Sequence, residues 1–136
     1  MSVTDLTFDG DLREVERLAS EVEWFCQENE LVSDVEFDLN LALEELFVNV
    51  LRHGGCQGVK DAVRVRLELL KDGVRAEFSD CGREFDPATA PAPDLEGPLA
   101  GRPIGGLGLH LVKHTMSDLQ YRRADGWNHV TMWRPI

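Results

Sequence analysis

The stretch "ALEELFVNVLRHGG", residues 42–55, places two adjacent glutamates and an asparagine inside an otherwise apolar helix. At about 100° per residue, Leu39, Ala42, Leu43, Leu46, Phe47 and Val50 form one continuous apolar stripe that should face a sheet. Glu45 and Asn49 are four apart, which makes them neighbours on one flank of that stripe. Glu44 projects from the other flank and reads as a surface residue. Glu45 and Asn49 therefore share the margin of the core, a position suited to lining a pocket. A carboxylate and an amide oxygen are hard ligands, fit for Mg²⁺ or for orienting a water or hydroxyl. Taken alone, the helix better fits a solvated flank with Glu45 in ordinary surface contacts.

Outward from this helix, the pattern alternates between helices and hairpins. Ser33 with Glu36 supplies an S-x-x-E start, and Gly54-Gly55 supplies the stop. Upstream, Asp11 and Glu14 make a D-x-x-E start. Leu12, Val15, Leu18, Ala19, Val22, Phe25 and Cys26 then follow at helical spacing, predicting an amphipathic helix to about Glu30. Residues 2–8 read as a short first strand. Downstream, Val63, Val65, Leu67 and Leu69 alternate with Arg64, Arg66 and Glu68, and Asp72-Gly73 separates them from Val74, Ala76 and Phe78. Period two on both sides of an Asp-Gly turn predicts a hairpin. Residues 118–124 and 129–134, joined around Asp125-Gly126, predict a second. Between the hairpins, residues 81–106 hold five of the 6 prolines and read as a long functional or disordered loop. The loop runs into "GGLGLHLVKHTM", residues 105–116, a glycine-rich turn opening a third helix. The predicted fold class is α+β: a two-layer sandwich with a mixed, mostly antiparallel sheet and about three helices on one face. With no internal repeat or boundary, residues 1–136 read as one domain.

Composition narrows the function. The net charge of −11, with no basic cluster, argues against nucleic acid as a partner. It serves solubility or attracts a basic protein. No apolar run approaches the roughly 20 residues that span a bilayer. The opening "MSVTDLTFDGD" lacks the basic and apolar regions of a signal peptide, so a cytoplasmic protein with no membrane partner is expected. Cys26, Cys56 and Cys81, an odd set without framework spacing, read as free thiols.

Two further features carry chemistry. Asp80 continues the phase of Val74, Ala76 and Phe78, so its carboxylate points with the core residues. Burying an unpaired carboxylate costs several kcal/mol, so Asp80 needs donors, or lines a cavity whose ligand supplies one, or caps the following loop. Gly82 permits close approach of something to the backbone. Gly105 to Leu109, "GGLGL", set glycines at a helix N-terminus, where exposed N–H groups and the dipole favour an anion; a flexible turn is the plainer reading. Other phosphate motifs do not fit: G-x-x-x-x-G-K-[ST] is absent, and Leu111 stands where G-x-G-x-x-G needs glycine. His110 and His114 lack the glutamate of H-E-x-x-H, and His53 with Cys56 has no second pair at zinc spacing.

In order and spacing, these stretches resemble the ATP-binding family of histidine kinases, gyrase and MutL (the GHKL or Bergerat fold). "EELFVN" is similar to its N box, "SDCGREFDP" to its G1 box and "GGLGLHLV" to its G2 box. The chain more closely resembles the single-domain branch of anti-sigma factor serine/threonine-protein kinases of the RsbW type. Glu45, Asn49, His53 and Gly54 match that branch's N box, and Asp80 to Pro87 match its D-x-G-x-x-F-D-P form, Phe85 included. The resemblance implies that Asp80 accepts a hydrogen bond from the adenine amino group and that Gly82 lets the base pack close. It implies that Asn49 binds Mg²⁺, and that Gly105, Gly106, Leu107, Gly108 and Leu109 form the phosphate-binding turn, with Gly106 and Gly108 holding the phosphates. Glu45 would be the general base and residues 83–105 the ATP lid. The implied substrate is a STAS-domain anti-anti-sigma protein, with a sigma factor or another regulatory client as second partner and a homodimer as the assembly. Two positions depart: Glu84 replaces the second glycine of D-x-G-x-G, and Ile104 stands where sporulation-type members carry arginine. A non-catalytic ATP-binding module that sequesters a regulator is the alternative reading.

Overall fold

The structure is a computed structural model and describes residues 2–87 and 112–136. The elements are β1 (Ser2–Phe8), α1 (Glu14–Glu28), α2 (Ser33–His53), β2 (Val63–Leu70), β3 (Gly73–Asp80), β4 (Ser117–Ala124) and β5 (Trp127–Pro135). One sheet runs in the order β1-β2-β3-β5-β4. Every pair in it is antiparallel, so the mixed sheet expected from the sequence gives way to a wholly antiparallel one among the described residues. The reason is tertiary: β1 returns through the two helices to lie against β2, and the last hairpin docks by β5 against β3. Of the third predicted helix, residues 112–115 are helical; residues 105–111 lie outside the described residues, as do residues 88–105 of the lid.

The strand alternation does what period two requires. Val63, Val65 and Leu67 are buried, as are Val74, Ala76, Phe78, Val130 and Met132, while Arg64, Arg66 and Arg75 are exposed. The apolar stripe of α2 covers that inner face, with Leu39, Ala42, Leu43 and Phe47 fully buried. Phe47 meets Phe8 of β1 at 5.8 Å and Phe78 of β3 at 6.2 Å, both edge to face, the favoured arrangement for aromatic rings. The Arg134 Nε to Asp38 Oδ2 bond, 2.8 Å, ties α2 to β5 across 96 residues of sequence. These contacts set the height and rotation of α2, and therefore where Asn49 comes to lie. Among the described residues no helix is long and apolar enough to cross a membrane.

Two expected local devices take another form. Neither helix start forms a capping box. Val32 is the N-cap of α2 and Ser33 is already helical, with no side-chain cap bond. Before α1, the Asp11 carboxylate accepts the Arg13 N–H at 2.9 Å and the Glu14 carboxylate accepts the Asp9 N–H at 3.1 Å. Both acids serve amides just outside the helix instead of its first turn. The first hairpin is shifted by one residue. Leu70 pairs with Gly73, so its two-residue turn is Lys71-Asp72. Gly73 is there for closeness: a Cβ on it would lie 2.5 Å from the Arg134 carbonyl oxygen. The Asp125-Gly126 turn joins β4 to β5 as expected.

Candidate functional site

The apolar phase of β3 ends on Asp80, which is 4% exposed. Burial pushes its carboxyl above the usual carboxylate range; hydrogen bonds from the Asn128 amide and the Gly82 N–H pull the other way. Both bonds, each 2.9 Å, fall on Oδ1. Among the described residues, Oδ2 receives no hydrogen bond. With Oδ1 engaged and Asp80 lining a cavity, Oδ2 is the oxygen left to accept a donor from a ligand.

Asp80 opens into a cavity of about 130 Å³ whose lining includes Asn49, His53, Phe78, Phe85 and Asn128. Complete small-molecule sites run to about 300–1,000 Å³, so these walls suit one ring system, the remainder of a ligand lying elsewhere. The fold thus brings Asn49, Asp80 and Phe85 together. Glu84, the residue that departs from the family's glycine, also lines this cavity.

Glu45 lies one helical turn before Asn49 and is half-buried, while Glu44 is exposed. Desolvation, then the neighbouring Glu44 charge, raises the Glu45 carboxyl, and Arg52 opposes the shift. Glu45 does not line the cavity itself. Gly82 also stands behind the wall: a Cβ there would sit 2.9 Å from the Gly54 carbonyl oxygen and 3.0 Å from Cys56 Sγ. Its closeness serves backbone-to-backbone packing of the β3 end on the C-terminus of α2, where the Arg83 N–H donates to Gly54 O at 3.0 Å. Cys56 and Cys81, distant in sequence, meet as free thiols beneath this turn; burial pushes the Cys56 thiol up to about 12. Gly105, Gly106, Leu107, Gly108 and Leu109 lie outside the described residues.

Asn128 is the site residue that sequence reasoning misses. It is 2% exposed, pairs with Asp80 across the β3–β5 ladder and bonds its carboxylate. The signal is present in the chain: Asn128 stands in phase with Val130 and Met132, as Asp80 does with Phe78. The donor set also bears on a metal. Among the described residues no group of three or more His, Cys, Asp or Glu is gathered as a metal site. Asn49 alone offers a hard oxygen from α2 to this cavity, which fits Mg²⁺, an ion that keeps its waters and takes most ligands from phosphates.

Comparison with known proteins agrees with this architecture. The family described as the histidine kinase-like ATPase domain matches residues 8–134. The serine/threonine-protein kinase BtrW of Bordetella bronchiseptica is 32% identical over 132 residues, covering 97% of this chain and 88% of that protein. The serine-protein kinase RsbW of Bacillus cereus is 29% identical over 101 residues, which are 68% of this chain and 59% of RsbW. A crystal structure of RsbU and RsbW domains from Mycobacterium tuberculosis superposes with a TM-score of 0.73 at 17% identity, over 99% of this chain and 33% of that one. At that identity the superposition speaks for the fold alone. With the matched segment running from the end of β1 to the last residues of β5, the chain belongs to the histidine kinase-like ATPase domain family.

Proposed function

We propose that this chain is an ATP-dependent protein serine/threonine kinase and partner-switching regulator of the anti-sigma type, which phosphorylates a STAS-domain anti-anti-sigma protein in the presence of Mg²⁺. The observation that carries the reading is Asp80: a buried carboxylate, satisfied on one oxygen by the described residues, facing a cavity shared with Asn49. The adenine amino group is the donor such an oxygen calls for. Leu46, Phe78 and Phe85 supply apolar walls for the ring. Asn49 would hold the magnesium, and Gly106 and Gly108 the phosphates. Bound Mg-ATP supplies a transferable phosphoryl group whose movement needs mainly positioning and charge neutralisation. Glu45 would accept the proton of the protein hydroxyl, and its raised carboxyl brings it nearer the working pH of a base. The names of BtrW and RsbW, both protein kinases, support transfer to a protein. The protein would work as one domain, as a homodimer, in the cytoplasm, with a sigma factor or another regulator as client.

One observation favours a second reading, a non-catalytic ATP-binding module that sequesters a regulator: Glu45 is not among the cavity's lining residues. Labelled ATP decides between them. With Mg²⁺ and a STAS-domain protein, the label should move from the γ-position to a serine or threonine of that protein, and Glu45→Ala should slow the transfer by roughly 10²–10⁴-fold. A STAS protein that binds and stays unlabelled would sink the kinase reading and leave the module.

A further inference from the structure

The Asn128 side chain spends its whole hydrogen-bonding capacity on one corner of the cavity. Nδ2 donates to Asp80 Oδ1 at 2.9 Å and to the Arg83 carbonyl at 2.7 Å. Oδ1 accepts the Tyr121 hydroxyl at 2.7 Å and the Phe85 N–H at 3.4 Å. Two donors and two lone pairs are all that a carboxamide has. Its orientation is set by charge as well as by count: turned over, the amide oxygen would face the Asp80 carboxylate and the Arg83 carbonyl together. Tyr121 adds a second hold, because its hydroxyl fixes the same amide oxygen that takes the Phe85 N–H. Arg123, two residues along β4, donates to the Gly82 carbonyl at 2.7 Å. The last hairpin thus grips the backbone at Gly82, Arg83 and Phe85, and Phe85 lines the cavity that Asp80 faces.

We infer that Tyr121 and Asn128 are positioning residues for the base end of the nucleotide: they lock Asp80 Oδ1 and the Arg83–Phe85 backbone into one frame, so that Oδ2 is presented to the adenine amino group while Phe85 forms the wall beside it. The inference rests on the functional reading above for the identity of the ligand, but the frame itself does not need a ligand. The frame holds the base end of the site, the part of the nucleotide that ADP and ATP share.

Tyr121→Phe tests it, because the ring is kept and only the hydroxyl is lost. Without nucleotide, amide hydrogen exchange should quicken within residues 83–87 and stay unchanged in β1 and α1. Affinity for ADP and for ATP should fall by the same factor, about three- to tenfold for one neutral hydrogen bond, with KM raised and kcat kept. Exchange at 83–87 that does not change, with ATP still bound, would overturn the frame. Weakening confined to ATP, or a fall in kcat at constant KM, would overturn its placement at the base end. A wild-type chain that binds neither nucleotide would overturn the functional reading together with the ligand half of this inference, while the exchange result would still judge the frame.

Discussion

Two adjacent rungs of the β3–β5 ladder carry polar pairs of nearly equal length. Ser79 opposes His129, and Asp80 opposes Asn128. Ser79 Oγ and His129 Nδ1 are 2.8 Å apart; Asn128 Nδ2 and Asp80 Oδ1 are 2.9 Å apart. Successive strand residues point to opposite faces, so the second pair opens on the side beneath α2 and the first on the side away from it. On the open side His129 has Glu77 at 3.7 Å, in a shallow, water-facing depression that includes Asp5, Arg64 and Arg66. Charges there are solvated and paired loosely, and such contacts contribute little. Beneath α2 the carboxylate is buried but for the side that faces the cavity. The hydrogen-bond distance does not distinguish the two rungs; the face of the sheet on which they open does.

Breaking the inner rung should have the largest effect. Asp80→Asn keeps an oxygen for Asn128 and Gly82 but removes the charge, and turns a donor toward the adenine amino group. ATP affinity measured by calorimetry should fall by on the order of 10²-fold, the scale of a charge-assisted hydrogen bond. Folding stability at neutral pH should hold or rise, because a desolvated charge has gone. Retained ATP affinity would show that Asp80 is not the base acceptor. The pH dependence follows from the same burial. Asp80 binds its proton more tightly folded than unfolded, so its contribution to stability is greatest below the ordinary carboxylate range and is lost as pH rises through its raised folded value. Denaturation curves across that window should flatten in Asp80→Asn, while nucleotide binding by the wild type should weaken as pH falls through it.

Asn49→Ala comes next. It should cost about 10–100-fold in metal affinity, the scale seen even for outer-shell partners of metal ligands, and ATP binding should become indifferent to chelation of Mg²⁺. If the variant still responds to magnesium as the wild type does, the metal belongs elsewhere. Asn128→Ala should lower stability by about 1–3 kcal/mol, the penalty for stranding buried polar groups, and denaturant titration will show it. The smallest effects belong to the outer rung. His129→Ala should change stability by less than about 1 kcal/mol and leave ATP affinity where it was. A large loss of nucleotide binding there would erase the contrast between the two faces.

Much of the inner site is legible in the amino-acid sequence. Asp80 is readable because a carboxylate in phase with Val74, Ala76 and Phe78 must turn inward, and it does. Glu45 and Asn49 are readable as a pair because a helix brings residues four apart together, and α2 carries them so. Asn128 obeys the same rule, but an amide in a strand attracts less notice than an acid. The capping boxes mislead because an S-x-x-E or D-x-x-E spacing says only that a box is possible; the amides that those acids serve depend on how the preceding chain enters the helix. The first turn misleads because Gly73 is needed against Arg134 in another strand, not for the turn.

By itself, then, the sequence determined which face of each element is apolar, where the chain reverses, and which polar residues are carried inward. Those are properties of the helical and strand periods and need only near neighbours. The tertiary structure decided what the inward residues meet: that β5 lies beside β3, that Asn128 finds Asp80 from 48 residues away, and that Glu45 stands just outside the cavity that Asn49 enters. Those depend on docking between distant elements, where the depth of a packed phenylalanine or the reach of one arginine decides the outcome, and no local period encodes it.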